Sequence, residues 1–178
     1  MFYAAVKNLS QHAILAHATK KDWSIQHIDV KSAYLYAKLK GNAPTYMTPP
    51  VGYLKPEQKG MVLEILKCLY RLAQSGQGWY NELHGTFQKL RFTCSKIDHS
   101  VFIHCLTTEK KELVIAVATD DMAITGNSDQ AVMRFKNEIK RVYKITDLGN
   151  LHWFLGMEIK RNCAAHTISI KVHILRAW

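Results

Sequence analysis

Leu113 to Thr125 reads LVIAVATDDMAIT, two uncharged apolar runs separated by a pair of acids. Leu113 to Ala118 carries no charge, Met122 to Ile124 resumes the apolar pattern, and Gly126-Asn127 closes the unit. Short runs rich in Val and Ile, bounded by turn residues, read as buried strands. Asp120 and Asp121 then fall at the bend of a hairpin. Adjacent carboxylates repel each other and prefer water. Holding them at the tip of a buried hairpin makes sense if a cation sits there. A solvated turn is the competing reading, because Asp is common in turns.

Outward from this hairpin, Ile97 to Cys105 reads as the strand paired with Leu113 to Ala118, around the polar turn Thr107 to Glu112. On the other side, Ser128 caps a predicted helix, Asp129 to Tyr143, with Val132, Phe135, Ile139 and Val142 on one face. Asp147 to Gly149 is expected to turn. Trp153 to Lys160 and Thr167 to Val172 are expected to form a final hairpin.

Toward the N-terminus, Gln74 to Leu90 is the strongest helix. Trp79, Tyr80, Leu83, Phe87 and Leu90 recur at helical spacing, as core rather than as a base-stacking platform. Met61 to Leu66 reads as a strand. Gly41 to Pro56 holds all four prolines and reads as a loop. Lys31 to Leu39 is a short helix or turn, and Ser24 to Val30 a strand with Asp29 near its end. Asn8 to Trp23 is expected to be helical, capped by Ser10, with Leu9, Ala13, Ala16 and Lys20 on one side and Ile14 and Leu15 beside them. Phe2 to Lys7 could start a strand. Strands and helices alternate irregularly, with hairpins, so the predicted class is α+β.

The chain has 178 residues, enough for one domain with a core. Lys plus Arg is 24 against 14 for Asp plus Glu, a formal charge of +10. That excess favours a polyanionic partner, nucleic acid before membrane. Apolar runs fall far short of the roughly 18–20 residues a membrane helix needs. No secretory signal follows Met1, so an intracellular protein is expected, in cytoplasm or nucleus. Cys68, Cys94, Cys105 and Cys163 form no CxxC pair and are expected to be free, mostly buried thiols. The nine histidines show no metal-binding spacing.

Three acids stand out by context: Asp29 at a strand end, Asp120 and Asp121 in the bend. A polymerase needs such a set. Two Mg²⁺ ions roughly 3.5–4 Å apart are bridged by carboxylates, one activating the primer oxygen and one holding the triphosphate. Few protein carboxylates suffice, since Mg²⁺ keeps waters and substrate phosphates in its shell.

Six segments in order carry a resemblance over nearly the whole chain: IQHIDVKSAYLYAKL, YMTPPVGY, LKCLYRLAQSGQGWY, KIDHSVFI, VATDDMAITG and ITDLGNLHWFLGMEI. They resemble the reverse transcriptase of copia-type retrotransposons. The resemblance implies a right-hand polymerase palm with part of the fingers, its antiparallel sheet packed on helices. It implies an RNA-directed DNA polymerase using Mg²⁺, with Mn²⁺ as an alternative, on a primer–template and deoxynucleotides. Asp29 and Asp120 would ligate both metals, the Val30 carbonyl would add a ligand, and Asp121 would support the second carboxylate. Tyr34 would stack under the incoming sugar and exclude a 2′-hydroxyl. Gln74 would contact the nucleotide. Trp153, Leu155 and Gly156 would grip the primer end.

Departures from the family pattern are equally specific. Ala118-Thr119 stand where the family has Tyr-Val, so a ring expected under the primer terminus is missing. Arg71 stands where the family has Gly, and Ala73 where it has Lys. His12 stands where an Arg is expected to meet the triphosphate. Residues 1–178 are expected to form one fingers and palm domain, beginning after the family's earlier fingers residues, stopping before a full thumb, and carrying no ribonuclease H segment. A non-catalytic nucleic-acid-binding or scaffold remnant of such an element is the alternative these departures leave open.

Overall fold

The computed structural model describes residues 5–39, 44–58, 60–106 and 111–172. Helix α1 (Asn8–Lys20) leads into strand β1 (Ser24–Val30) and a single 3-10 turn, Ala33–Tyr36. Strands β2 (Tyr46–Met47) and β3 (Leu63–Glu64) form a small separate ribbon. Helix α2 (Ser75–Lys89) precedes β4 (Thr93–Cys94), β5 (Val101–Leu106), β6 (Lys111–Ala118) and β7 (Asp121–Gly126). Helix α3 (Asp129–Val142), β8 (Ile145–Asn150), β9 (Trp153–Phe154), β10 (Met157–Asn162) and β11 (Thr167–Val172) complete the order.

The main sheet runs β4-β5-β6-β7-β1-β8, and every neighbouring pair is antiparallel. The class is α+β, as expected. The opening stretch explains why this sheet is covered on both faces. Successive side chains of a strand point to opposite sides. On β6, Leu113, Ile115 and Val117 enter a core with Trp79, Leu83 and Phe87 of α2 and Phe135 and Ile139 of α3. Ala116 and Ala118 enter the opposite core with Val6, Leu15, Ala18, Phe154 and Ile159. The face toward α2 and α3 thus takes Leu, Ile and Val, and the face toward α1 and the three-stranded sheet β11-β10-β9 takes the two alanines with Val114.

Several expected elements differ. Helix α1 stops at Lys20, and Leu9, Ala13 and Ala16 are exposed while Gln11, Leu15, Ala18 and Thr19 are buried. Leu15 stays buried, but the buried face is otherwise not the expected one, and the N-terminus is fixed from elsewhere. Asp98 accepts from the Lys7 backbone N–H at 2.8 Å, so a carboxylate 91 residues away supplies the anchor expected of Ser10. Ser10 instead hydrogen-bonds Asp98, and Ser100 N–H adds a third bond at 3.1 Å. Asp98 is only 4% exposed, and these bonds hold its carboxyl below the usual range despite the burial.

Residues 145–150 form a strand rather than a turn at Asp147. A register shift between His27 and Ile28 lets Gly149, at φ +73°, sit inside the ladder. Buried Lys136 of α3 reaches Asp147 at 2.7 Å and Gln26 at 2.9 Å, which fixes this edge strand. Met61 to Leu66 contributes only Leu63–Glu64 to a sheet. Val142, expected in the α3 core face, is 46% exposed. Ser128 caps α3 as expected, accepting from Ala131 N–H. Of the four unpaired cysteines only Cys68 is buried; Cys105 and Cys163 are exposed. The first four residues of the Thr107 to Glu112 turn, residues 41–43 of the proline-rich loop, and residues 2–4 of the expected first strand lie outside the described chain. Among the described residues, no helix is long and apolar enough to cross a membrane.

Candidate functional site

Register places the acids. Asp29 on β1 stands opposite Asp121 on β7, and Asp121 stands opposite Ala118 on β6. Directly opposed residues in an antiparallel pair share a face. Asp29, Asp121 and Ala118 therefore form a row across three strands, on the side facing α1 and the small sheet. Asp120 occupies the two-residue bend beside that row.

Two hydrogen bonds clamp the bend. The Val30 N–H donates to the Asp120 carbonyl at 2.8 Å. The indole N–H of Trp79, a fully buried residue of α2, donates to the Thr119 carbonyl at 2.6 Å. Thr119 adopts φ +59°, a left-handed conformation that is costly for a β-branched residue. The tertiary clamps hold it there.

The carboxylates crowd one another. Burial raises the Asp29 pKa, with Asp120 and Asp121 adding to it; Lys31 and His27 partly offset the shift. Asp121 Oδ1 is 2.9 Å from His27 Nε2. The Tyr70 hydroxyl donates to Asp120 Oδ2 at 3.3 Å. Among the described residues, no three His, Cys, Asp or Glu side chains form a ready metal-binding cluster. The donor chemistry nevertheless fits a divalent cation: mutual repulsion raises a carboxylate pKa, and a cation relieves it. Mg²⁺ is commonly held by only one or two protein carboxylates.

The other expected site residues divide. The Tyr34 ring lies edge-on to Tyr70, with centroids 4.6 Å apart, and so reaches the acids through Tyr70. The Val30 side chain is fully buried, leaving only its backbone for the site. Trp153 and Leu155 are exposed on a hairpin whose bend, Leu155-Gly156, has φ +50° and +75°. Phe154 of that hairpin is buried and packs edge-on against His27 at 6.0 Å. The chain of contacts Phe154–His27–Asp121 thus ties this hairpin to the acid row.

Gln74 lines a separate cavity of ≈ 580 Å³ with Tyr36, Lys38, Cys68 and Glu82, and none of the three acids lines it. His12 is exposed on α1, whose packing partners are β1 and β11. Ala118 is 6% exposed and bridged by Ala5, with Val6 N–H donating to the Val117 carbonyl at 2.8 Å. The position expected to leave a hole is therefore covered by the chain's own N-terminal segment. Arg71, where the resembled family has Gly, has φ +72°. The backbone there is of the kind Gly adopts without strain, which gives a physical reason for that family residue.

A reverse transcriptase (RNA-dependent DNA polymerase) family model matches residues 2–177. The chain belongs to this family. It is 30% identical over 174 residues to the retrovirus-related Pol polyprotein from transposon RE1 of Arabidopsis thaliana, covering 98% of this chain and 12% of that protein. It is 28% identical over 161 residues to the corresponding polyprotein from transposon TNT 1-94 of Nicotiana tabacum, covering 90% of this chain and 12% of that protein. It is 26% identical over 151 residues to the putative transposon Ty5-1 protein of Saccharomyces cerevisiae, covering 84% and 48%. The polyprotein relatives are copia-type; the chain spans about an eighth of their length. No solved structure gives a significant match.

In this reverse transcriptase chain, two residues beside the acids, His27 and Tyr70, carry no local sequence signal of that place. His27 lies at the register shift between His27 and Ile28, and its contact with Asp121 crosses 94 residues. Tyr70 lay inside a motif that carried the family likeness, but nothing in the spacing joined it to an acid 50 residues later.

Proposed function

We propose that this chain is the palm, with part of the fingers, of an RNA-directed DNA polymerase of copia type. Its substrates on this reading are a primer–template and deoxynucleoside triphosphates. The observation that carries the reading is the row Asp29–Asp121 with Asp120 clamped beside it. Asp29 and Asp120 would hold Mg²⁺ or Mn²⁺, with the Val30 carbonyl as a further donor and Asp121 in support. When bound, those ions supply charge neutralisation for the triphosphate and activation of the primer oxygen. The chain's own work is positional. The Trp79 and Val30 hydrogen bonds fix the bend, and preorganised groups need no rearrangement at the moment of reaction. Tyr34 would meet the incoming sugar, and Trp153, Leu155 and Gly156 the primer end. The +10 charge suits phosphate backbones.

One observation favours a second reading, a nucleic-acid-binding remnant that no longer polymerises. Ala118, in the acid row, is covered by Ala5, where a polymerase of this kind would seat the primer terminus. Primer extension on a poly-A template with Mg²⁺ or Mn²⁺ separates the two. Extension that disappears in Asp120→Asn supports the polymerase. Duplex binding without any extension supports the remnant.

A further inference from the structure

The loop between Cys68 and α2 brings a phenol onto the acid site and holds it there. Its base is tied down: buried Ser75 donates its hydroxyl to the Leu69 carbonyl at 2.6 Å, and its backbone N–H bonds the Leu72 carbonyl at 3.1 Å. Arg71, next to Tyr70, is in the left-handed region. From this loop Tyr70 donates to Asp120 Oδ2, and its ring lies edge-on to Tyr34.

We infer that Tyr70 is a positioning residue for the cation site, orienting Asp120 through one carboxylate oxygen while the other faces the metal, with Tyr34 bracing its ring. The inference rests on the reading of Asp29 and Asp120 as cation ligands. Three features support it. The hydroxyl engages a single oxygen of Asp120, which leaves Oδ1 available. Outer hydrogen-bond partners commonly orient metal-ligating carboxylates, and removing one typically weakens metal affinity about 10–100-fold. Tyr70 is also more than half exposed at its surface, and little core packing depends on it.

The coupling has a consequence. Tyr34, the residue expected to sense the sugar, touches Tyr70, and Tyr70 touches Asp120. A change at Tyr34 is transmitted to the cation site through Tyr70.

The test is Mn²⁺ titration of the full 178-residue chain, followed by electron paramagnetic resonance. The variants are Tyr70→Phe, Tyr34→Ala, the double variant, Asp29→Asn and Asp120→Asn, each checked for an unchanged melting temperature. Tyr70→Phe keeps the ring and is expected to weaken Mn²⁺ about tenfold. Tyr34→Ala is expected to weaken it less, and to have a smaller effect in the Tyr70→Phe background than in the parent. Equal or tighter binding by Tyr70→Phe, with the site lost in Asp29→Asn and Asp120→Asn, overturns the role of Tyr70 and leaves the cation site standing. Absence of Mn²⁺ binding in the parent, or binding unchanged in both Asp variants, overturns the site and the role together.

Discussion

The indole of Trp79 donates to the carbonyl of Thr119 across 40 residues, at 2.6 Å. A fully buried side chain of α2 thus fixes the bend that carries Asp120. Trp79→Phe leaves that carbonyl without its donor and removes ring volume from a filled core. An unmade buried hydrogen bond costs about 1–3 kcal/mol, and the vacated space adds to it. Urea unfolding is expected to show a loss in this range. A variant as stable as the parent would mean that the bend does not depend on this clamp.

Arg71→Gly is expected to stabilise the chain. A left-handed φ costs an ordinary L-residue roughly 1–2 kcal/mol. Glycine removes that cost but gives the unfolded chain more freedom, worth about 0.4–1 kcal/mol in the other direction. The net gain is expected near 0.5–1 kcal/mol, read as a higher urea midpoint. A fall in the midpoint would mean that the Arg71 side chain contributes more than its backbone costs.

Ala118→Tyr, which by family likeness restores a ring, is expected to harm the fold. Ala118 is buried with Ala5 opposite it. Overpacking a filled core typically costs about 1–3 kcal/mol. Thermal unfolding of the variant checks this. An unchanged melting temperature would show that the Ala5 segment moves aside readily, and that the ring has room.

Acid should loosen α1 through Asp98. Three hydrogen bonds hold its folded pKa below the ordinary value. The sign follows: the folded state binds that proton less readily than the unfolded state. The stabilisation is therefore present above the ordinary carboxylate range and is lost as pH falls through the depressed value. Asp98→Asn is expected to lower stability at pH 7, with the difference from the parent shrinking in strong acid. A pH-independent difference would assign the effect to shape rather than charge.

The architecture was legible where patterns were local. The LVIAVA run gave β6, Ser128 gave the start of α3, and the aromatic spacing of residues 79–87 gave the core face of α2. The acids were legible as a set, since Asp29, Asp120 and Asp121 each sit at an element end. What stayed hidden depends on distant partners. Asp98 anchoring α1, Lys136 holding β8, and Ala5 covering Ala118 are contacts between segments 11 to 113 residues apart, and no local spacing encodes them. Gln74 and His12 were drawn to the site by likeness alone, and the fold gives each a different neighbourhood.

Binding to a primer–template should be mainly electrostatic. The logarithm of affinity is expected to fall linearly with the logarithm of salt, by about 0.7–0.9 per phosphate contacted. Little sequence preference is expected, because phosphate contacts carry none. Fluorescence anisotropy across a salt series reads the slope. Salt-independent binding, or none at low salt, would contradict both nucleic-acid readings.

On the proposed function, Asp29 and Asp120 make a cation site. Calorimetric titration of Mn²⁺ into the parent, Asp29→Asn and Asp120→Asn tests it most directly, with circular dichroism confirming that all three are folded. A binding isotherm is expected for the parent, with marked weakening in each variant. The same Mn²⁺ affinity in all three proteins would contradict it.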